Sequence, residues 1–576
     1  MNNTNNTIDD RTGETPEYSG SRAVIESLLQ EGVEVIFGYP GGSIIPVYDI
    51  LYDYRDRLHH VLTRHEQGAV HAAQGYARVS SRVGVCMVTS GPGATNTITG
   101  LADAMADSTP LVLITGQVGS AQLGTNAFQE VDIIAITRPV TKWNCQVRQA
   151  SEIAGALSRA FYLARSGRPG PVVIDITKDA QLEMTRFRYE PTRNVRGYVP
   201  YPIPDQRQVD KAVALIREAR RPMILFGQGV TLGGAEEEFR AFVEKSDIPA
   251  ASTLLGLSTL PVTHPRYAGL LGMHGNYAPN IKNRECDLLV AVGMRFDDRV
   301  TGNPLKFGEN ARIVHLEIDP AEINKIIRVD VPVLGDVKET LPLLTAGIEQ
   351  GDHEEWMAGF RACAGVEERE TISPAIHPGD AVLHMGEVVR AASEIYDDDA
   401  VLVTDVGQQQ LFACRYFGYK RPRSVVTSGG LGTMGFGLPA AIGASLGAPH
   451  RDVCLFAGDG GLQMTIQELA TVAQLGLPVK ILLMNNGFLG MVRQWQELFF
   501  HKRYSFTAIA NPEFEYIARA HRVAYRLLER REDLHDAIRE MKEHPGPFLL
   551  EVKVMQEENV FPMIPVGAAV SDILLK

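Results

Sequence analysis

The stretch RDVCLFAGDGGLQMTIQELATVAQLGLPVKILLMNNG carries the strongest chemical signal in the chain. An apolar run at 453–457 reads as a buried strand that delivers Gly458-Asp459-Gly460, and a second run at 479–484 delivers Asn485-Asn486. Thr465 and Glu468 have the T-x-x-E spacing of a capping box, opening a helix that Gly476 ends. Neighbouring parallel strands would bring Asp459 and Asn486 to one sheet edge, a carboxylate beside a neutral carbonyl oxygen. Hard oxygen donors of this kind suit Mg²⁺, with diphosphate oxygens completing its shell. The glycines let the backbone approach phosphates, and a helix N-terminus favours anions. GDG or NNG alone is a common turn. The two joined by strand–helix–strand are far more specific.

That pattern resembles the thiamine-diphosphate motif, which runs from GDG to NN, and both ends are intact here. The resemblance implies Asp459, Asn486 and the Phe488 backbone carbonyl as Mg²⁺ ligands. It also changes the weight of Glu66 in TRHEQGAVHAAQGYAR. As a lone residue, Glu66 reads as a solvated acid at a helix start, where acids are favoured. Thiamine chemistry needs a carboxyl group hydrogen-bonded to the aminopyrimidine, so that its imino tautomer can remove the thiazolium C2 proton. Enzymes of this type carry that Glu in the domain other than the one holding GDG, and Glu66 matches.

These residues must be positioned by a β/α framework. Residues 21–31 read as a helix stopped by Gly32; 33–37, 60–63, 83–89 and 111–115 read as short apolar strands, and 67–79 as a helix. Such alternation implies parallel sheets covered on both faces. A second β/α unit opens at 222–226, and a third runs from about 380 to 555. RFRYEPTRNVRGYVPYPIPDQ and the acidic, proline-broken stretch from GDHEEW to HPGD read as linkers. The expected fold class is α/β, with three doubly wound parallel-sheet domains at 20–185, 205–348 and 378–560. Residues 1–19 are expected as a disordered tail and 561–576 as a C-terminal tail. Ligands of open parallel sheets sit beyond the carboxyl ends of the strands. That is where GYPGG, SGPGATN, DVGQQQ and AGDGG fall.

FGYPGG, RHEQGA, TSGPGATN, TGQV, AFQE, SGRPGPV, GMHG, RFDDRVTG, TSGGLGTMGFGLPAAIGA, MNNGFLGMVRQW and FPMIPVG span the chain from about 20 to 570. Together they resemble the catalytic subunit of the acetohydroxyacid synthase (anabolic acetolactate synthase) family. The resemblance implies a pyrimidine-binding domain at 20–185, an FAD-binding domain at 205–348 and a diphosphate- and Mg²⁺-binding domain at 378–560. It implies decarboxylation of pyruvate and transfer of the two-carbon, acetyl-equivalent unit to a second pyruvate or to 2-oxobutanoate, on the route to branched-chain amino acids. It makes Glu66 catalytic, with Gln129 and the Gly42 backbone N–H as oxyanion stabilisers and Phe128 lining the pocket. Met434 would wedge the thiamine cofactor into a bent form, although Met is more often a filler of core gaps. Val406, Gly407, Gln408, Gln409, Gln410, Gly432, Gly458, Asp459, Gly460, Gly461, Asn486, Phe488, Gly490, Met491, Val492, Pro92 and Asn96 match the other thiamine-diphosphate-binding stretches. Arg299 would pair with the acceptor carboxylate, Trp495 would select its alkyl group, and Lys178 belongs to the same substrate set. Gly227, Gly229, Thr253, Leu254, Gly272, Met273, His274, Gly293, Arg295, Asp297, Glu317, Ile318 and Asp336 match the FAD-binding stretches. FAD performs no required redox step in this family. GGLGTMG also fits G-x-G-x-x-G, but no clean β–α unit opens there. Departures from the family pattern include Ser43 for Ala, Gln74 for Glu, Gly119 and Ser120 where Pro often stands, Asn126 for Asp, and Gln409 for His.

Composition narrows the classes. The 576 residues carry 56 basic and 69 acidic side chains, net −13, which disfavours nucleic acid as a partner. At 45% apolar and 22% charged, the chain is an ordinary globular one. The six cysteines form no C-x-x-C pair and several lie in apolar runs, which fits buried thiols in a reducing, cytoplasmic compartment. The uncharged stretches 83–102 and 424–450 are broken by Gly, Pro, Ser and Thr, so no membrane span is expected. Because Glu66 and Asp459 fall in different domains, the resemblance implies a homodimer with its active site at the subunit interface. The family often adds a small regulatory subunit. Two alternatives stay open at this point: a pyruvate-oxidase-like redox enzyme using FAD and thiamine diphosphate, against which RFDDRVTG and Trp495 argue, and a non-enzymatic cofactor-binding chain.

Overall fold

The computed structural model describes residues 16–397 and 399–576. Three six-stranded sheets, parallel throughout, follow one another along the chain. The first runs His59–Leu62, Val35–Tyr39, Gly84–Val88, Leu111–Gln117, Pro171–Thr177, Trp143–Val147 across its width. The central one runs Tyr267–Leu270, Ala250–Ser252, Pro222–Phe226, Leu288–Val292, Arg312–Glu317, Val331–Leu334. The last runs Val425–Val426, Val401–Thr404, Val453–Gly458, Lys480–Asn485, Phe548–Lys553, Ala524–Leu528. Strands such as LVLITGQ and PVVIDIT are buried at every position, as strands with helices on both faces must be.

With strands counted in chain order inside each unit, the first and last sheets share the order 2-1-3-4-6-5. The central sheet has the order 3-2-1-4-5-6 of a dinucleotide-binding fold. In each sheet the winding reverses beside strand 1, and a crevice opens there at the carboxyl ends of the strands. The switch points lie beside Gly41–Gly42 and Thr89 in the first unit, Gly227 and Gly293 in the central unit, and Asp405 and Asp459 in the last.

The first and last units share one core, through the helices Glu66–Ser80 and Gly437–Gly447. Small residues bring the two backbones into contact: a Cβ at Gly75 would lie 2.1 Å from the Ala440 carbonyl oxygen, and one at Gly443 only 1.8 Å from that of Ala72. Gly443→Val must therefore push backbone apart, and a loss of about 1–3 kcal/mol is expected. Gly155→Ala is the contrasting control, since a Cβ there meets nothing within 4 Å. Chemical denaturation should shift to lower denaturant for the first variant and not for the second.

Several expectations are corrected. Glu17–Ser19, inside the expected disordered tail, pairs antiparallel with Met184–Arg186; residues 1–15 lie outside the described residues. Much of the expected acidic linker is the helix Glu354–Glu367. It forms because Met357 and Phe360 bury against the central core while the Trp356 indole N–H donates to the Pro222 carbonyl at 2.8 Å. Its Glu367 is itself buried and pairs with Arg415. The stretch 187–205 is irregular, as expected, but anchored, with Phe187 stacked on Tyr18. The segment 561–576 is no free tail: the Ile564 N–H donates to the Met273 carbonyl at 2.9 Å, and Ile564, Val570 and Ile573 join the central core. The six cysteines are free thiols, with Cys86, Cys286, Cys414 and Cys454 buried. Among the described residues, no helix is long and apolar enough to cross a membrane.

Candidate active site

The strands Val453–Gly458 and Lys480–Asn485 are neighbours, and they end together at Asp459 and Asn486. Asp459 is buried, and its Oδ2 accepts the Gly487 N–H at 2.8 Å and the Asn511 side-chain N–H at 2.7 Å. Burial pushes this carboxyl above its ordinary value, against the pull of those donors. The Asn486 amide donates to Gln408 Oε1 at 3.3 Å, and its own oxygen accepts the Phe488 N–H. Asp459 and Asn486 thus offer one charged and one neutral oxygen at a single edge. No cluster of three or more His, Cys, Asp or Glu able to hold a metal exists among the described residues. A divalent cation here would need ligand oxygens besides, which is the situation of Mg²⁺ on a diphosphate.

The opposite wall comes from DVGQQQ. Asp405 is fully buried, and its carboxylate accepts the N–H groups of Val406, Gly435 and Gly437 at 2.8–3.1 Å. Burial lifts it to about 6. It ties the turn at Val406–Gly407 to the loop bearing Met434. Gln409 lies against Gly407 and Gly458: a Cβ at either would come within 2.9 Å of its amide. Its Nε2 is buried without a hydrogen-bond partner among the described residues. Gln409, Gly407 and Gly458 line the same crevice, and its glycines let an anionic group such as a diphosphate come close to the backbone.

The central switch point is equally tight. A Cβ at Gly229 would sit 2.6 Å from the Gly293 Cα, and Gly293 and Gly272 have φ of +54° and +117°, which suits only glycine. His274 is lowered to about 3 by burial, and its Nδ1 is another buried atom without a partner among the described residues. Glu317, at a strand end, is raised to about 7 by burial. Asp297 caps the short helix Asp298–Thr301 by accepting the Arg299 and Val300 N–H groups, which sets Arg299 at the crevice mouth.

These two crevices open into one cavity of about 660 Å³. Its wall holds Gly227, Gly229, Thr253, Leu254, Gly272, Met273, His274, Gly293, Arg295, Asp297, Glu317, Ile318 and Asp336 from the central unit. It also holds Val406, Gly407, Gln408, Gln409, Gln410, Gly432, Met434, Gly458, Asp459, Gly460, Gly461, Asn486, Phe488, Gly490, Met491 and Val492 from the last, with Arg299 and Trp495. Trp495 packs edge-on against Phe499, with centroids 5.4 Å apart.

The first unit's candidates gather elsewhere. Glu66 opens its helix and accepts the Asn96 side-chain N–H at 2.9 Å. A Cβ at Gly93 would lie 3.3 Å from Glu66 Oε1, and one at Gly91 2.9 Å from Gln129. Ser43, next to Gly42, donates its N–H to Thr89 and accepts the Ser90 hydroxyl. Gln129 holds φ +61°, a strained value for a residue with a side chain, and Phe128 beside it is 87% exposed. Pro92 starts the short helix Pro92–Thr95, and Lys178 stands exposed at the end of Pro171–Thr177. Glu66, Gly42, Pro92, Asn96, Phe128, Gln129 and Lys178 are all absent from the wall of the cavity that holds Asp459.

Residues 18–136 match the N-terminal TPP binding domain of thiamine pyrophosphate enzymes, 209–344 their central domain, and 405–552 their C-terminal TPP binding domain. The acetolactate synthase large subunit of Lactococcus lactis is 44% identical over 552 residues, 95% of each chain. The isozyme 2 large subunit of Escherichia coli is 44% identical over 560 residues, 97% of this chain and 100% of that one. A probable acetolactate synthase large subunit of Methanocaldococcus jannaschii is 41% identical over 568 residues, 96% of this chain and 95% of that one. This chain belongs to the acetolactate synthase large-subunit family of thiamine pyrophosphate enzymes.

The capping box expected at Thr465 and Glu468 does not form. The helix that Gly476 ends is Leu469–Leu475, preceded by a tight turn at Ile466–Glu468 and a separate short helix Asp459–Met464; the Thr465 hydroxyl donates to the Gly435 carbonyl at 2.9 Å, and Glu468 reaches into the first unit. Long-range partners outcompeted the local ones. Sequence reasoning also missed Asp405, although it heads the DVGQQQ motif, and Asp103 with Asp107. Asp107 accepts the N–H groups of Gly429 and Gly430 and the Arg78 guanidinium. Asp103 accepts the Ser428 and Thr433 hydroxyls. Together they fasten the loop before Met434. Their only signal in sequence was acids inside an otherwise apolar helical stretch.

Proposed function

We propose that this chain catalyses acetolactate formation: it decarboxylates pyruvate and joins the two-carbon unit to a second pyruvate or to 2-oxobutanoate, giving 2-acetolactate or 2-aceto-2-hydroxybutanoate for branched-chain amino-acid synthesis. Thiamine diphosphate supplies the electron sink for this chemistry when bound. The observation that carries the reading is that Asp459, Asn486, Gln409, Arg299 and Trp495 face one cavity. Asp459 and Asn486 would hold Mg²⁺ together with the Phe488 carbonyl, and Gln409 would border the diphosphate. Met434 supports the cofactor from the opposite wall. FAD would be held in the central crevice, beyond the strand ends at Gly227 and Gly293, which line it. Arg299 takes the acceptor carboxylate, and Trp495 borders its alkyl group.

Glu66 moves the activating proton, with Gln129 and the Gly42 N–H stabilising developing oxyanions. These groups form a face apart from the cavity, edged by the exposed Phe128, Ile45 and Tyr39. A second copy of the chain brings that face over the cavity, so the working unit is a homodimer. A smaller regulatory subunit binds outside this core, and the assembly works in the cytoplasm.

The test is anaerobic assay of the purified chain with thiamine diphosphate, Mg²⁺ and FAD. Acetolactate formed from pyruvate without an electron acceptor is the expected result. Rapid flavin turnover with an acceptor, and no acetolactate, would establish the redox reading instead. Selectivity is tested by competition of pyruvate with 2-oxobutanoate in wild type and Trp495→Leu. One pocket contact discriminates by about 10–200-fold, so the share of 2-aceto-2-hydroxybutanoate should fall sharply. An unchanged product ratio removes that role from Trp495.

A further inference from the structure

Glu468 is fully buried, at the seam between the last unit and the first. Its Oε1 accepts the backbone N–H of Arg64 at 2.9 Å, and its Oε2 accepts the Thr471 hydroxyl at 2.7 Å. Burial raises this carboxyl, while the Arg64 and His65 backbone N–H groups pull the other way. Arg64 and His65 immediately precede Glu66, and the His65 ring caps the helix that Glu66 opens by accepting the Gln67 N–H. The Arg64 guanidinium adds a second tie, to Gln474 at 2.7 Å. The fit is close: a Cβ at Gly68 would lie 2.6 Å from Glu468 Oε1. On its other side, Glu468 ends the segment that begins at Asp459 and is pinned to the Met434 loop through Thr465 and Gly435.

We propose that Glu468 is a positioning residue for Glu66: its carboxylate clamps the Arg64–His65 backbone and so sets the direction in which the Glu66 carboxyl leaves its helix. The proposal rests on the reading of Glu66 as the group that moves the activating proton. A backbone clamp fits that task because Glu66 shares its turn with the clamped amides, so a lost bond at Arg64 displaces the carboxyl directly. Small displacements of a reacting group are costly, about 100-fold for 1 Å. Glutamine preserves the clamp. Its oxygen accepts the Arg64 N–H, and its amide donates to Thr471, whose own proton turns to the Leu62 carbonyl 3.4 Å away.

The experiment compares Glu468→Ala, Glu468→Gln and Gly68→Ala in the full chain by two readouts. The first is amide hydrogen exchange across residues 62–68 without cofactor, followed by mass spectrometry. Exchange should quicken about tenfold or more in Glu468→Ala and stay near wild type in Glu468→Gln. The second is exchange of the C2 proton of bound thiamine diphosphate with deuterated water. Glu468→Ala should slow it about 10–100-fold, at a cofactor Kd within about threefold of wild type, with Glu468→Gln largely rescued. Unchanged C2 exchange in Glu468→Ala overturns the proposal, and so does equal damage by Gln and Ala, which would mean charge rather than geometry. Should the Ala variant fail to fold, Gly68→Ala decides, because it crowds the carboxylate without removing it: slowed C2 exchange supports the clamp, and a wild-type rate overturns it. If wild type itself exchanges no C2 proton, the role of Glu66 fails, and the amide readout alone judges the clamp.

Discussion

Glu66→Gln is expected to lower the turnover of acetolactate formation by about 10²–10⁴-fold, the usual contribution of a positioned acid or base. The variant keeps the shape that fits beside Gly93 and can still accept the Asn96 amide, so fold and cofactor binding should survive. It cannot carry the proton. Steady-state assay at saturating cofactor checks the loss. Mixing gives a stronger check, because Glu66 and Asp459 face different surfaces of one chain. If each site takes Glu66 from one copy and Asp459 from the other, a mixture of Glu66→Gln chains with Asp459→Ala chains rebuilds one intact site per mixed dimer. Equal mixing should then restore about a quarter of wild-type activity. No recovery after subunit exchange would place both residues in a site made by a single chain.

Asp459→Ala is expected to weaken Mg²⁺-dependent retention of thiamine diphosphate by about 100-fold or more, equivalent to about 2.7 kcal/mol. The carboxylate is the one charged oxygen at the edge it shares with Asn486, and a cation held on a diphosphate depends on it. Its removal also takes the acceptor from the half-buried Gly487 N–H, while the Asn511 amide keeps its bond to Asn485 Oδ1 at 2.9 Å. Asp459→Asn separates the two effects, since it keeps an acceptor oxygen and loses the charge. Titration calorimetry with and without Mg²⁺ reads the outcome. A dissociation constant within threefold of wild type in both variants would remove Asp459 from the cation site.

The strand runs at 453–457 and 479–484, the helix that follows His65 and the stop at Gly476 all carry local signatures, and the structure has Val453–Gly458, Lys480–Asn485, Glu66–Ser80 and a left-handed cap at Gly476. Three parallel-sheet units were legible for the same reason: apolar runs and glycine turns speak through near neighbours. The acidic stretch at 354–367 misled because its charges hid an apolar face that only the central core makes visible. Thr465 and Glu468 misled in the opposite sense, since a good local spacing lost to partners in other parts of the chain.

Sequence by itself determined the chemistry on offer: the oxygen pair at Asp459 and Asn486, the acid at Glu66, and the glycines where strands end. Tertiary structure alone decided their grouping. Candidate residues from the central and last units meet around one cavity, which Asp107 and Arg168 of the first unit also line, while the first unit's own candidates, Glu66 and Gln129 among them, lie off its wall. The physical reason is range. Periodicity and turn preference act over a few residues, whereas the Arg64–Glu468 bond and the Ala72–Gly443 contact join positions hundreds of residues apart, where no local pattern records the partner.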